Sequence, residues 1–568
     1  MPRPAGVLLG VRPYLLLAGL CLLLYLPGIA AIPPLDRDEA RFAQATRQML
    51  ETGDFLRIRF QDEARNKKPA GIYWLQAVAV SAFSTPEATA IWPYRVPSLL
   101  GGMAAVLLTF AFGAAMSSGD TDPQAARRIG AIAAVLLASA LGVVAEAHIA
   151  KADAALLAAV MAGQGALGLA YVRARAGQPV PPWIAVVFWA GEIGAILLKG
   201  PPGPALAIVT IAALSIADRE LRWLRGLRPA AGLVALIVAV APWLIAIERA
   251  TEGRFLADSL GHDLLLKLLG AQESHGAPPL SYLLLALATF WPGSLLLVPA
   301  LVGAWRRQEM PATRFLLAWL VPSWILLELA PTKLPHYALP LYPALALLAA
   351  AALTDGIAQL PAWARRLDFV VRGLWLAAGL GLAALLVGLP LRFGGQMALT
   401  GMLGAGSLLV LAAALLRRPQ PGATAVLMAS LSLAFAMPAG HTVLPQLDRL
   451  WLSRAAADLM TRHPHAVGAP LVAVGYAEPS LVFLLGTKLR LAMPRDAAET
   501  LAAGGDALVS SRVDAMFREA VGARGLLVQP IGSVAGLDYS NGRRMVLTLY
   551  QVAPGRAGAG AGMIKGGQ

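Results

Sequence analysis

Pro34-Leu35-Asp36-Arg37-Asp38-Glu39-Ala40-Arg41 follows the first apolar run of the chain. The same polar segment continues through Arg57, Arg59 and Arg65 to Lys67-Lys68-Pro69. Around it the chain is mostly hydrocarbon. Of 568 residues, 57% are hydrophobic and only 14% charged, whereas a soluble domain carries about a quarter charged residues. Charged side chains beside a bilayer are costly unless they face water or act on something. The polar run therefore sets two expectations: a membrane protein around it and a site within it.

Working outward, apolar stretches lie near 13–32, 92–116, 129–147, 153–172, 183–199, 202–217, 229–247, 281–303, 314–330, 336–354, 370–391, 397–416 and 423–441. Each reaches or approaches the roughly 20 residues that cross a bilayer, so a polytopic α-helical protein of about thirteen spans is expected. Residues 1–32 resemble a signal peptide, with Arg3 and Arg12 ahead of the oil. That apolar stretch is long for a signal segment and reads as an uncleaved first span. The single cysteine, Cys21, allows no intrachain disulfide.

The net charge of +14 does not point to nucleic acid, because most arginines sit in short loops between apolar runs. With the N-terminus cytoplasmic, one side collects Arg127-Arg128, Arg173 and Arg175, Arg219, Arg222, Arg225 and Arg228. It also collects Arg306-Arg307 and Arg314, Arg365-Arg366, and Arg417-Arg418. This is the positive-inside pattern. The opposite loops are large and mixed in charge (33–91, 248–280) or short and almost uncharged. The polar run and the C-terminus then face outward.

Within loop 33–91, Asp38–Leu50 has helical spacing, with Phe42, Ala45, Met49 and Leu50 toward one side. Ile72–Phe83 is apolar but short for a span. Both read as helices lying along the membrane interface, and Tyr73, Trp74, Trp92 and Tyr94 suit its aromatic belt. From about 442 the pattern changes. Leu471–Val474 and Leu481–Leu485 are short apolar runs; Ala507–Ser510, Leu526–Val528 and Met545–Val552 read as strands, with helix patterns such as Asp514–Val521 between them. A small α/β domain over 442–555 is expected, followed by a Gly- and Ala-rich disordered tail at 556–568.

The polar residues admit more than one role. Asp38 and Glu39, in the first turn of a helix, can serve its cap and dipole or supply a general base. Capping accounts for one acid and leaves Asp36, interleaved with Arg37 and Arg41, unexplained. Lys67-Lys68-Pro69 can be an anionic-lipid contact, but such patches belong on the cytoplasmic side. Facing outward, the cluster suits a bound phosphate. Asp153 opens a span in His148-Ile149-Ala150-Lys151-Ala152-Asp153, where Lys151 can neutralise it. Lys199 closes another span and can snorkel. Thr332-Lys333-Leu334-Pro335-His336-Tyr337 is a sparsely charged outer loop. All of these fall on Asp38's side, which argues for one outer-face site. None of the seven histidines has metal-ligand spacing, and no P-loop, GxSxG or Rossmann fingerprint is present. No cofactor is called for, a divalent metal is not supported by spacing, and a group donor must come from the lipid.

Asp38-Glu39-Ala40-Arg41-Phe42-Ala43, then Gly53-Asp54-Phe55, then Lys68-Pro69 with Tyr73-Trp74-Leu75 resembles the first-loop signature of the membrane-embedded GT-C glycosyltransferases. The resemblance is to the bacterial lipid A aminoarabinose transferase-like branch, related to the protein O-mannosyltransferases. Further similar segments are Arg95-Val96-Pro97-Ser98, Lys151-Ala152-Asp153-Ala154, Lys199-Gly200-Pro201, Ala241-Pro242-Trp243 and Thr332 through Pro340. They run in order from the first span through the tenth. Thirteen spans with an outer α/β tail is also that family's architecture.

The resemblance implies an inverting transfer from a polyprenyl-phosphate sugar to a lipid or glycan acceptor at the periplasmic face of the inner membrane. By match to the family motif, Asp38 would be the catalytic carboxylate, within the Asp38-Glu39 pair. Arg41 and Lys68 would hold the lipid phosphate. Asp153 would line the cavity, with Lys199, His336 and Tyr337 near it, and Arg254 or Lys267 would add a phosphate contact. One departure stands out. The family usually carries Glu before the Lys-Pro, in a region associated with metal binding, and this chain has Lys67 there. That weakens the case for a metal at this place and leaves a different sugar or acceptor open. A protein O-glycosyltransferase, a flippase of lipid-linked sugars and a non-catalytic assembly protein remain the rival expectations.

Overall fold

The computed structural model describes residues 10–118, 122–259, 261, 277–355, 360–396, 399–417, 419–463 and 469–553. The chain divides into two compact units, Met1–Gln446 and Leu447–Gln568. Sequence had put this boundary at 442. The difference arises because helical hydrogen bonding runs on past the last span, Pro421–Pro438, through a π turn (Ala439–Val443) and a 3-10 turn (Leu444–Gln446). The expected disordered tail lies outside the described residues.

The first unit is a helical, multi-pass membrane fold. Among the described residues, nine helices are long and apolar enough to cross a membrane, and a tenth if the bent pair Pro123–Ser139 and Leu141–Ala147 counts as one. The expected stretches outside that count are shorter or interrupted helices: Val11–Tyr25, Pro202–Asp218, and 281–303, which breaks near Phe290–Pro292. Pro182, Pro202, Pro229, Pro311 and Pro421 each stand at a helix start, where the missing N–H costs nothing. Val186, Ile208, Ile216, Val238, Phe369 and Val410 are exposed on these helices and present the apolar face that lipid requires.

Small residues let the helices touch backbone to backbone. A methyl group added at Gly101 would sit 2.6 Å from the Ala155 Cα, and one at Gly191 would sit 2.6 Å from the Gly163 amide nitrogen. Gly101→Leu should therefore cost about 1–3 kcal/mol by overpacking, read as a lowered unfolding temperature in detergent. The Gly101 crossing matters for function, because it fixes Trp92–Ser117 against the N-terminal end of Asp153–Arg175.

The bent pair breaks at Ala140, whose backbone is extended, and the Leu141 amide is taken up by the Trp291 carbonyl at 3.0 Å. The short helix Leu141–Ala147 then swings by 62° and delivers residues 146–153 to one end of the bundle. The first loop supplies two helices, Arg37–Thr52 and Gly71–Phe83, joined through a hairpin of β1 (Arg59–Phe60) and β2 (Glu63–Ala64).

The second unit is a five-stranded mixed sheet with order β4-β3-β5-β7-β6. Its strands are β3 (Leu471–Val474), β4 (Arg490–Ala492), β5 (Asp506–Ser510), β6 (Val528–Asp538) and β7 (Arg543–Val552). β3 runs parallel to β4 and β5, while β7 is antiparallel to β5 and β6. β3 and β5 are buried throughout, as central strands covered on both faces are. The expected strand at 526–528 meets the long β6 only at its first residue, Val528. Leu481–Leu485 forms a helix with Pro479 at its start. Edge strand β4 is half exposed and too short to show a pattern.

Candidate functional site

Helix Arg37–Thr52 begins where the first-loop motif begins. Asp36 is its N-cap: Oδ1 accepts from the Asp38 amide at 2.9 Å. Its other oxygen, Oδ2, accepts from Lys151 Nζ at 3.0 Å. One carboxylate thus caps the helix and ties it to a distant segment. Glu39, one turn in, points inward. Its two oxygens take a fork from Arg95, Nε to Oε1 at 2.8 Å and Nη2 to Oε2 at 3.1 Å, with both side chains fully buried. They also accept the Ala150 amide (2.9 Å) and the Leu35 amide (2.7 Å). Arg95 spends its remaining donors on the carbonyls of Ile29, Ile32 and Pro33. Every lone-pair direction and donor that burial demands is met.

The turn 148–152 is held by the same logic. Ser98 Oγ donates toward the Ile149 and Lys151 carbonyls at 2.7 and 3.0 Å. The Ala150 carbonyl accepts from Gln76 Nε2 (3.1 Å), itself fixed by Thr46. The His148 ring lies 2.7 Å from the Val144 carbonyl and 2.9 Å from that of Pro27. Side chains from three separate helices, together with His148 of the turn itself, thereby lock the backbone that carries Lys151 and Asp153.

Beyond that turn, ionisable groups converge. Lys151 Nζ lies 3.6 Å from Glu146 as well as 3.0 Å from Asp36. Burial works against its charge, but Glu146, Asp153 and Asp36 outweigh that and hold its pKa above the usual lysine range. Lys199 pairs with Asp153 and sits 5.1 Å over the Tyr337 ring. The His336 nitrogens stand 3.8 Å from Glu146 and 3.8 Å from Asp153. On the other side of Asp36, Asp38 is half exposed and flanked by Arg41 at 3.2 Å and Arg65 at 3.5 Å. Burial alone would raise the Asp38 carboxyl. The Arg65 and Arg41 guanidinia and Lys151 override it and hold the carboxyl below its ordinary value. Asp38 is therefore an ionised, reachable carboxylate at neutral pH.

Of the residues expected from sequence, the structure joins Asp38 to Arg41 directly, and Asp153, Lys199, His336 and Tyr337 to one another. Asp36 and Lys151 bridge the two groups. Lys68 is half-buried at the end of the segment that carries Arg65, and Lys67 is exposed. Arg254 is exposed and pairs with Glu252 at 3.0 Å, while its neighbour Asp258 accepts from Asn66 of the first loop at 3.0 Å. Lys267 lies outside the described residues. Glu39 sits in the Arg95 fork, away from solvent. Sequence reasoning missed Glu146, Arg65 as a partner of Asp38, and Arg95 as a partner of Glu39. Glu146 and Arg95 stand inside apolar stretches, and a charged residue there is itself a signal.

Among the described residues no three His, Cys, Asp or Glu side chains are placed to hold a metal ion. Where the resembled family has a Glu, Lys67 offers an exposed ammonium. The residues at this place do not fit a metal.

The chain is thus a multi-pass membrane protein with an acid-base cluster at one end of its helical unit and a separate small α/β unit. No protein-family model matches the chain. It is 29% identical over 344 residues to the undecaprenyl phosphate-alpha-4-amino-4-deoxy-L-arabinose arabinosyl transferase of Pseudomonas savastanoi pv. phaseolicola, covering 60% of this chain and 61% of that one. It is 30% identical over 323 residues to transferase 1 of that name from Pseudomonas fluorescens, covering 56% of each. The aligned part thus spans about three-fifths of these relatives. The crystal structure of ArnT from Cupriavidus metallidurans bound to undecaprenyl phosphate superposes with a TM-score of 0.73 at 19% identity, over 95% of this chain and 98% of that one. Its apo state gives a TM-score of 0.71 at 19% identity. These matches bear out the resemblance read from the first loop: the chain is similar in sequence to aminoarabinose transferases over about three-fifths of its length and has the ArnT fold.

Proposed function

We propose that the protein is an inverting glycosyltransferase. It moves a sugar from a polyprenyl phosphate, undecaprenyl phosphate in the first instance, to lipid A or another envelope glycan at the periplasmic face of the inner membrane. The observation that supports this most is Asp38: a reachable carboxylate kept ionised by Arg41 and Arg65, on a loop that arginine counting places outside. The names of the related transferases and the lipid phosphate in the ArnT crystal structure agree with it.

In this reading the lipid phosphate rests on Arg41 and Lys68, with Tyr337 and Lys199 at the far end of the cluster. The acceptor oxygen attacks the anomeric carbon from the face opposite the phosphate. The bond from that carbon to the phosphate oxygen breaks, and the phosphate leaves with the electron pair. Asp38 takes the proton of a hydroxyl acceptor; a phosphate acceptor is already ionised, and Asp38 then orients it. Arginine and lysine stabilise the leaving phosphate, so no metal step is invoked. Glu39 serves as a positioning residue, holding the Asp38 turn on Arg95.

The test uses purified protein, a labelled lipid-linked sugar and lipid A. Transfer is expected, and Lys68→Ala should raise the donor KM about tenfold or more, the worth of a charged hydrogen bond. Transfer only to hydroxyls of a Ser/Thr peptide would favour a protein glycosyltransferase. Lipid flux without any transfer would overturn the enzyme reading.

A further inference from the structure

Two ionic groups meet in the site: Lys151 lies against Asp36 and Glu146, and Lys199 pairs with Asp153. Glu146 is 8% exposed, and its Oε2 has no hydrogen-bond partner among the described residues. His336 stands between these two acids, Nδ1 toward Glu146 and Nε2 toward Asp153, both at 3.8 Å. A buried carboxylate oxygen without a partner is expensive as an anion, and such a group takes up a proton instead.

Arg41 and Arg65 lie on the other side of Asp36, against Asp38, and among the described residues the remaining neighbours are engaged elsewhere. Tyr282 and Tyr342, from the neighbouring helices, are neutral phenols bonded to the Leu334 amide and to Thr289. Glu328 accepts from the Leu283 amide and Lys333 donates to the Ala330 carbonyl. Arg95 is matched by Glu39. The His148 ring nitrogens face two carbonyls of their own.

We propose that Glu146 is a positioning residue of this site, sharing one proton with His336, and that this proton lessens the negative charge that the site presents to an anionic donor. The proton belongs to the couple rather than to either residue. When it is lost, an extra negative charge stands beside the group formed by Asp153, Lys199 and Tyr337. The second half of the proposal rests on the lipid-phosphate reading given above; the first half does not.

Two measurements separate them. In the purified full chain, the unfolding temperature is followed from about pH 5.5 to 8.5, the window of histidine-like titrations. The folded state holds a proton that the unfolded glutamate has already released, so stability falls as pH rises. Glu146→Gln is the neutral isostere of the protonated acid and should flatten that fall. Identical pH dependence in wild type and Glu146→Gln overturns the shared proton. Should Glu146→Gln fold poorly, His336→Gln serves instead: it leaves Glu146 without its partner and must move the titration, and an unmoved titration overturns the proposal. In the transfer assay, the donor KM should rise about tenfold across the same window in wild type, the scale of one extra charge nearby, and stay level in Glu146→Gln. A KM that rises equally in both overturns the electrostatic role. Absence of any transfer refutes the proposed activity and leaves the thermal result standing.

Discussion

Asp38→Asn abolishes transfer, by about 10³-fold or more, and leaves the protein folded. The amide keeps the shape of the carboxylate but removes its negative charge, and with it the means to accept a proton or orient an acceptor; general bases contribute about 10²–10⁴-fold. Folding is spared because Asp38 and Arg41 are open to solvent, where such pairs contribute little, and the Asn oxygen can still accept from the largely buried Arg65. The sign of the pH effect follows from the same neighbours. The carboxyl is held below its ordinary value by Arg65, Arg41 and Lys151. The wild-type acid limb should therefore lie below the ordinary aspartate value. Asp38→Asn with undiminished kcat and a normal gel-filtration profile would remove Asp38 from the chemistry.

Much of the fold was legible because hydrocarbon leaves a plain record. Each expected span falls on a helical element, and the two first-loop helices sit within a residue or two of their expected bounds. What was hidden was geometry within helices. Nothing local marks the break at Ala140, which depends on a carbonyl supplied by Trp291. In the second unit, β4 is three residues long and the length of β6 is set by its pairing with β7, so neither carries its own signal. The candidate site was legible as a list of polar residues, because oil makes charge conspicuous. Its wiring was not. Lys151 was expected to neutralise Asp153, whereas the direct partner of Asp153 is Lys199, and Lys151 instead ties Asp36 to Glu146. Contacts between residues more than a hundred positions apart are a property of the packed bundle.

The second large effect concerns Glu39, and it separates chemistry from architecture within a single dipeptide. Glu39→Ala leaves the Arg95 guanidinium fully buried without its counter-charge, together with the orphaned amides of Ala150 and Leu35. Breaking one side of such a pair costs about 3–5 kcal/mol, a large share of any domain's stability. The protein should fail to accumulate, or unfold in detergent well below the wild type. Arg95→Lys should be nearly as damaging. One ammonium cannot reproduce the fork on Glu39 while also serving the carbonyls of Ile29, Ile32 and Pro33. Replacing both partners by apolar residues should recover only part of the loss, because those carbonyls stay unsatisfied. The contrast with Asp38 is the discriminating result. Adjacent acids on one helix turn should give opposite outcomes: Asp38→Asn a stable, inactive protein, Glu39→Ala an unstable one. If Glu39→Ala folds as well as the wild type and only its kcat collapses, Glu39 belongs to the chemistry and the Arg95 fork is not what holds the first loop in place.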